Sequence, residues 1–311
     1  MKLLITGALG HIGSRLIHHL QPNDFSEVVL FDNFATQRYC SLFNLPAGVP
    51  FRLVEGDVCT ADLEKLCAGM DAVIHLAAIT NAAGSFEIQD QVEKVNYTGT
   101  ERVARACVAA GARLVFLSTT SVYGTQEAVV DEACPIDQLK PQSPYADSKI
   151  RAERLLAQLG ETAGLRFVSC RFGTIYGVSP GMRFHTAINK FAWQACAGQP
   201  LTVWRTALHQ RRPYLDLGDA VRALQFILRG DHFDRKVYNV LTDNLTVNDV
   251  VEALRGLVPD VTVNLVDSQI MNQLSYTVSN ERFRRLGFEF KGSLSQAITE
   301  TVALLRNVRH A

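Results

Sequence analysis

The sequence predicts an α/β protein built on a doubly wound parallel sheet, and three observations carry that prediction. Short apolar runs (KLLIT, VVLF, FRLVEG, DAVIHLAA, ARLVFLS and RFVSCRF) alternate with helical stretches from Met1 to about Phe172. A βαβα order of this kind gives parallel strands covered by helices on both faces. Glycines crowd the junction between the first run and the first helical stretch, in ITGALGHIG, and a carboxylate, Asp32, ends the second run.

Taken in chain order, KLLIT is a strand by length and branched content, followed by a helix over Ile12 to Leu20. VVLF and FRLVEG are the next strands, ending at Asp32 and just before Asp57. A helix over Asp62 to Ala68, the strand DAVIHLAA, a helix over Asn96 to Ala110 and the strand ARLVFLS follow. In SPYADSK, Ser143 is placed to cap a helix and Pro144 to occupy its first turn. Beyond Phe172 the alternation loosens, and LTVW, KVYNV and VTVNLV are separated by longer irregular pieces. The expected division is a dinucleotide-binding domain of residues 1–175, to which 213–242 returns, and a smaller substrate-binding domain of 176–311, mainly 176–212 and 243–311.

Composition narrows the function. The 311 residues hold 31 Lys and Arg against 31 Asp and Glu, with 47% hydrophobic residues, which suits a globular chain with a sizeable core. Balanced charge argues against a general electrostatic grip on nucleic acid or anionic membrane. No apolar run reaches bilayer length, and no secretory leader is expected. The seven cysteines are scattered, odd in number and without a Cys-x-x-Cys pair, which suits a reduced, cytoplasmic setting. The eight histidines form no zinc constellation, so no metal is expected.

In an open parallel sheet the ligand sits beyond the carboxyl ends of the strands. Gly7, Gly10 and Gly13 occupy that place after the first strand, spaced Gly-x-x-Gly-x-x-Gly. They allow a tight turn and close approach to a pyrophosphate, whose charge meets the helix N-terminal amides. Asp32 lies 19 residues beyond Gly13, where a carboxylate can accept hydrogen bonds from an adenosine ribose. It would repel a 2′-phosphate, so NAD is favoured over NADP. Asp57 could meet the adenine amino group, or could instead serve as a helix cap before TADLEKL. In HLAA, small residues stand where backbone passes close to a cofactor, and His75 reads as a packed core histidine.

The fifth strand ends in the hydroxyl-rich FLSTTSVYG, and SPYADSK places Tyr145 and Lys149 four residues apart, on one helix face. Together, TGALGHIG, FDNF, GDV, HLAA, STTSVYG and PYADSK resemble the extended short-chain dehydrogenase/reductases, specifically the NAD-dependent epimerase/dehydratase family acting largely on nucleotide sugars. The resemblance continues in CRFGTIYG and RRPYLDLGDAV, and faintly in RRLGFE. It implies a Rossmann-type sheet with a smaller mixed α/β substrate-binding domain toward the C-terminus.

The resemblance also implies roles. Tyr145 would be the general acid and base, Lys149 would lower its pKa and bind the nicotinamide ribose, and Thr119 would hydrogen-bond the reacting oxygen. Gly7, Gly10, His11, Ile12, Gly13, Asp32, Asn33, Asp57, Val58, Leu76, Ala77, Ala78 and Phe172 would join Tyr145 and Lys149 around NAD. Thr80, Thr119, Thr174 and Arg212 would face the substrate, Arg212 gripping its diphosphate. A homodimer through the helices around Asn96 to Ala110 and Tyr145 to Leu159 is implied as well.

Dehydratases of this family carry an acidic residue just after the catalytic threonine, whereas here Thr120 and Ser121 follow Thr119, which disfavours dehydration. The motifs as a set look most like sugar 4-epimerases. A net NAD-dependent dehydrogenase stands second, and a 4,6-dehydratase or a silent dinucleotide sensor further behind. Three departures bear on the substrate: Thr174 replaces a usual asparagine, VWRTALHQ replaces a glycine-rich approach to Arg212, and no Arg or Lys lies between Gly256 and Glu281.

Overall fold

The structure is a computed structural model that describes residues 1–124, 129–267 and 275–305. Its centre is a seven-stranded sheet in the order Val237–Val240, Phe167–Phe172, Arg113–Thr119, Ala72–His75, Lys2–Thr6, Glu27–Asp32, Phe51–Glu55. Every pairing in it is parallel. Leu3, Leu4 and Ile5 are fully buried, because helices cover both faces of this strand. Continuous apolar runs, rather than alternating ones, follow from that double burial. Burying each such side chain contributes about 1.5–3 kcal/mol. Phe51–Glu55 is the edge strand, and Leu53 is correspondingly 44% exposed.

From Lys2–Thr6 the chain winds outward to Phe51–Glu55, then crosses back to Ala72–His75 on the other side of its starting strand. The order reverses between these two neighbours, which opens a crevice at their carboxyl ends. Gly7 and Ala77 face each other there.

Several boundaries depart from the sequence expectation. The first helix is His11–Ile17, shorter at its end than expected. The strand in DAVIHLAA stops at His75, and the residues beyond it run past Gly7 without strand pairing. The helix expected from Asn96 begins at Gly99, preceded by a π-helical turn over Glu93–Thr98. Asn96 explains that turn: its side chain accepts from Ile79 N and donates to Ile79 O, both at 2.8 Å, so it is committed to a neighbouring loop. Such bulges cluster at functional sites.

The helix Pro144–Thr162 starts as the sequence indicates, with Ser143 Oγ accepting from Ala146 N at 3.2 Å. Its buried face includes Lys149, Ile150, Glu153 and Leu156, and Glu153 is charge-neutralised by Arg171 at 2.7 Å. Beyond the main sheet, the strands Thr174–Tyr176, Arg211–Asp216 and Asp243–Thr246 form a second sheet. Helices Ala187–Cys196, Val247–Arg255 and Leu294–Leu305 enclose a separate cluster around Phe191, Val250, Leu254 and Ile298. KVYNV supplies the last strand of the main sheet rather than joining that cluster.

Candidate active site

A cavity of about 610 Å³ opens at the switch point, within the range of small-molecule and cofactor sites. Gly7, Gly10, His11, Ile12 and Gly13 form one wall, and Asp32, Asn33, Asp57 and Val58 another. Leu76, Ala77, Ala78 and Thr80 close the third side. Thus the cofactor residues expected from the first four strand ends meet at one cavity.

The glycines have different physical reasons. Gly7 adopts φ +66°, and a Cβ there would lie 2.6 Å from Ala77 N; a Cβ at Gly13 would lie 2.4 Å from Ala8 O. At Gly10 a Cβ would lie 3.3 Å from Gly7 O, a milder contact than at the other two, and the residue lines the cavity. Asp32 braces this loop: its carboxylate accepts from Leu9 N at 3.0 Å and from Phe34 N at 2.9 Å. Asp57 does not cap the following helix, which Asp62 caps instead. It accepts from Cys59 N and Asn33 Nδ2, and these bonds outweigh burial and hold its pKa below the ordinary value. The His11 ring turns away to Gly177 O at 2.9 Å, and burial pushes it down to about 3.

At the chemical end, the Thr119 side chain is near enough to the Tyr145 phenol to favour its ionised form. Burial raises the Tyr145 pKa, opposed by the charge of Arg183 and by Thr119. Lys149 Nζ donates to Leu117 O at 2.8 Å and lies 4.8 Å from the centre of the Phe116 ring, and Arg183 is a further cation whose charge favours the phenolate. Lys149 is 3% exposed, and desolvation lowers its pKa to about 7, partly opposed by Glu153.

That burial has a measurable consequence. Between pH 7 and the ordinary lysine value the unfolded chain binds more protons than the fold, so the stability attributable to this group rises with pH. It is lost as pH falls through about 7. Wild type should gain on Lys149→Met by up to about 1.4 kcal/mol per pH unit in this window. Urea denaturation of both proteins at several pH values measures it, and parallel pH profiles would show that Lys149 is not protonically coupled to folding.

Sequence reading does not single out Arg183, which stands in the irregular stretch GVSPGMRFH with no motif to flag it. Its Nη1 donates to Thr80 Oγ1, its Nε is buried without a partner, and its side chain lines the cavity. The same segment clasps the glycine loop, with Gly181 N donating to Ser14 Oγ at 2.9 Å. Arg38, also missed, lines the cavity as well. Phe172 is packed in the core. Thr174 is half-buried beside Tyr214 in the second sheet. Arg212 lies off this cavity, 5.2 Å from the centre of the Tyr276 ring and donating to Gln210 Oε1 at 2.9 Å. Among the described residues no acidic or Cys/His group could hold a metal, and no helix is long and apolar enough to cross a membrane.

Fold and site together define a dinucleotide-binding α/β enzyme with a threonine–tyrosine pair beside its cavity. Residues 3–240 match the NAD dependent epimerase/dehydratase family, and the chain belongs to it. It is 30% identical over 317 residues to the trifunctional UDP-glucose 4,6-dehydratase/UDP-4-keto-6-deoxy-D-glucose 3,5-epimerase/UDP-4-keto-L-rhamnose-reductase RHM3 of Arabidopsis thaliana. That match covers 97% of this chain and 46% of the plant protein, so the chain spans about half the length of that relative. It is 33% identical over 257 residues to UDP-glucose 4-epimerase of Azospirillum brasilense, covering 74% of this chain and 70% of that one. The structure of Bacillus cereus UDP-glucuronic acid 4-epimerase in complex with UDP-glucuronic acid and NAD is similar at a TM-score of 0.89 and 26% identity, covering 98% of this chain and 99% of that chain.

Proposed function

We propose that the protein is an NAD-dependent epimerase of a nucleotide-activated sugar. The observation that carries this reading is the placing of Thr119 and Arg183 about the Tyr145 phenol, Arg183 lining a dinucleotide-sized cavity, with no carboxylate at positions 120 and 121. The glycine loop amides, Asp32 and Lys149 would hold NAD, which when bound accepts a hydride from the sugar carbon and returns it.

Tyr145 takes the proton of the sugar hydroxyl as a ketone forms and gives a proton back on re-reduction. Thr119 holds the same oxygen by a hydrogen bond. Arg183 favours the phenolate that burial alone disfavours. Thr120 Oγ1 is committed to Phe172 O at 3.3 Å, and neither Thr120 nor Ser121 carries a carboxyl, so neither supplies the further acid or base that eliminating water requires. Incubation with UDP-sugars should interconvert epimers without net NADH, followed at about 340 nm; stoichiometric NADH would instead select the net dehydrogenase, the second reading. The family homodimer, the cytoplasmic setting and the substrate-binding role of 176–212 and 243–311 belong to the same proposal.

Arg183 refines the substrate class. A guanidinium beside the catalytic phenol, with a buried unsatisfied Nε, suits a carboxylate on the sugar, as in UDP-glucuronic acid. Arg183→Met should lower kcat/KM for UDP-glucuronate by about 10- to 150-fold, the worth of a charged hydrogen bond. UDP-glucose turnover should fall as well, because Arg183 also favours the Tyr145 phenolate, but by clearly less than UDP-glucuronate turnover. Equal losses on both sugars would remove carboxylate recognition from the proposal.

A further inference from the structure

His75 is fully enclosed, and nothing in the chemistry above uses it. Its two ring nitrogens nevertheless have assigned partners. Thr6 Oγ1 lies 2.7 Å from Nδ1, and Thr100 Oγ1 lies 3.0 Å from Nε2. Thr100 gives its only hydroxyl proton to Asn96 O at 2.6 Å, so toward the imidazole it can only accept. Nε2 therefore carries the ring proton, and Nδ1 of a neutral ring accepts from Thr6. The Thr6 oxygen in turn accepts from Ala77 N at 3.3 Å.

The chain of bonds reaches the cavity at both ends. Thr6 immediately precedes Gly7, and Ala77 is the residue that Gly7 nearly touches. Asn96 continues the network to Ile79 N and O, and its Nδ2 lies 3.4 Å from Ser148 Oγ, one residue before Lys149. The backbone of residues 76–79 is thus gripped at Ala77 by the Thr6 hydroxyl, whose direction the imidazole fixes, and at Ile79 by the side chain of Asn96, whose backbone carbonyl takes the Thr100 proton.

We propose that His75 is a positioning residue, a neutral Nε2–H imidazole that sets the height of the 76–79 backbone above the glycine loop and thereby the affinity for the dinucleotide. This rests on the reading that the cavity takes NAD. Burial, with the Lys149 charge adding to it, keeps the ring pKa at about 3, which agrees with the neutral form. The ring also stacks on Phe116 at 6.3 Å, so an aromatic replacement can keep the packing while removing the bonds.

Two measurements test it. In protein labelled with 15N-histidine, His75 should show an unprotonated Nδ1 and a protonated Nε2, unchanged between about pH 5.5 and 8.5; a titration in that range, or the opposite tautomer, overturns the proposal. In calorimetric titration with NAD, His75→Phe should weaken binding at least tenfold. His75→Gln, whose amide offers one donor and one acceptor, should recover most of it. If wild type fails to bind NAD, the cofactor reading itself is wrong. If wild type and His75→Phe bind equally while only Tm falls, His75 merely packs. Should His75→Phe not fold, Thr100→Val removes the acceptor for Nε2–H together with the hydroxyl bond to Asn96 O and should weaken NAD binding in the same direction; unchanged binding in that variant overturns the proposal.

Discussion

Tyr145→Phe should lower turnover by about 10²–10⁴-fold, the usual worth of a positioned acid and base, and leave NAD binding within a factor of a few. The phenyl ring keeps the packing of the helix start, which is set by Ser143 and Pro144, and removes only the phenol oxygen. The loss should appear in kcat rather than KM, because the proton moves only as the reaction proceeds. Steady-state kinetics with a separate calorimetric measure of NAD affinity checks both halves. Undiminished kcat would mean that another group moves the proton, and the epimerase mechanism would have to be rebuilt around it.

The second large effect distinguishes two glycines that look equivalent in the sequence. Gly10→Val should abolish measurable NAD binding at a smaller cost in Tm than Gly7→Val, since Gly10 lines the cavity and a Cβ there would lie 3.3 Å from Gly7 O, against 2.6 Å from Ala77 N at Gly7. Gly7→Val should cost both binding and stability. Its left-handed φ of +66° is strained for a β-branched residue, and its Cβ would press on Ala77 backbone at 2.6 Å, where no side chain can swing aside. Thermal melts of both variants with and without NAD separate the cases. A stable, NAD-binding Gly10→Val would show that the ligand does not approach this loop.

How much was readable in advance depended on the range of the interactions. The doubly wound sheet was legible because each strand between helices advertises its burial on both faces in its own residues, as KLLIT does. The glycine loop, Asp32 and the HLAA run were legible because their job is done by backbone geometry at a strand end, a local property. The start of the helix at Pro144 was legible for the same reason, its cap being three residues from the amide it binds. Helix boundaries went astray where a side chain was recruited from afar, as at Asn96, whose commitment to Ile79 replaces a regular turn by a π turn.

The sequence by itself determined the sheet, the dinucleotide end of the site and the tyrosine–lysine spacing, since these follow from periodicity and from residues close in the chain. Only the tertiary structure brought a second cation, Arg183, into the site. Helix geometry puts Lys149 on the same face as Tyr145, but the packing of that helix on the strand Arg113–Thr119 directs its ammonium to Leu117 O. Arg183 enters the cavity from a segment whose position depends on bonds to Ser14 and His11, more than 160 residues away in the chain. Contacts over such separations are fixed by the closure of the whole fold, and no local pattern of residue types encodes them.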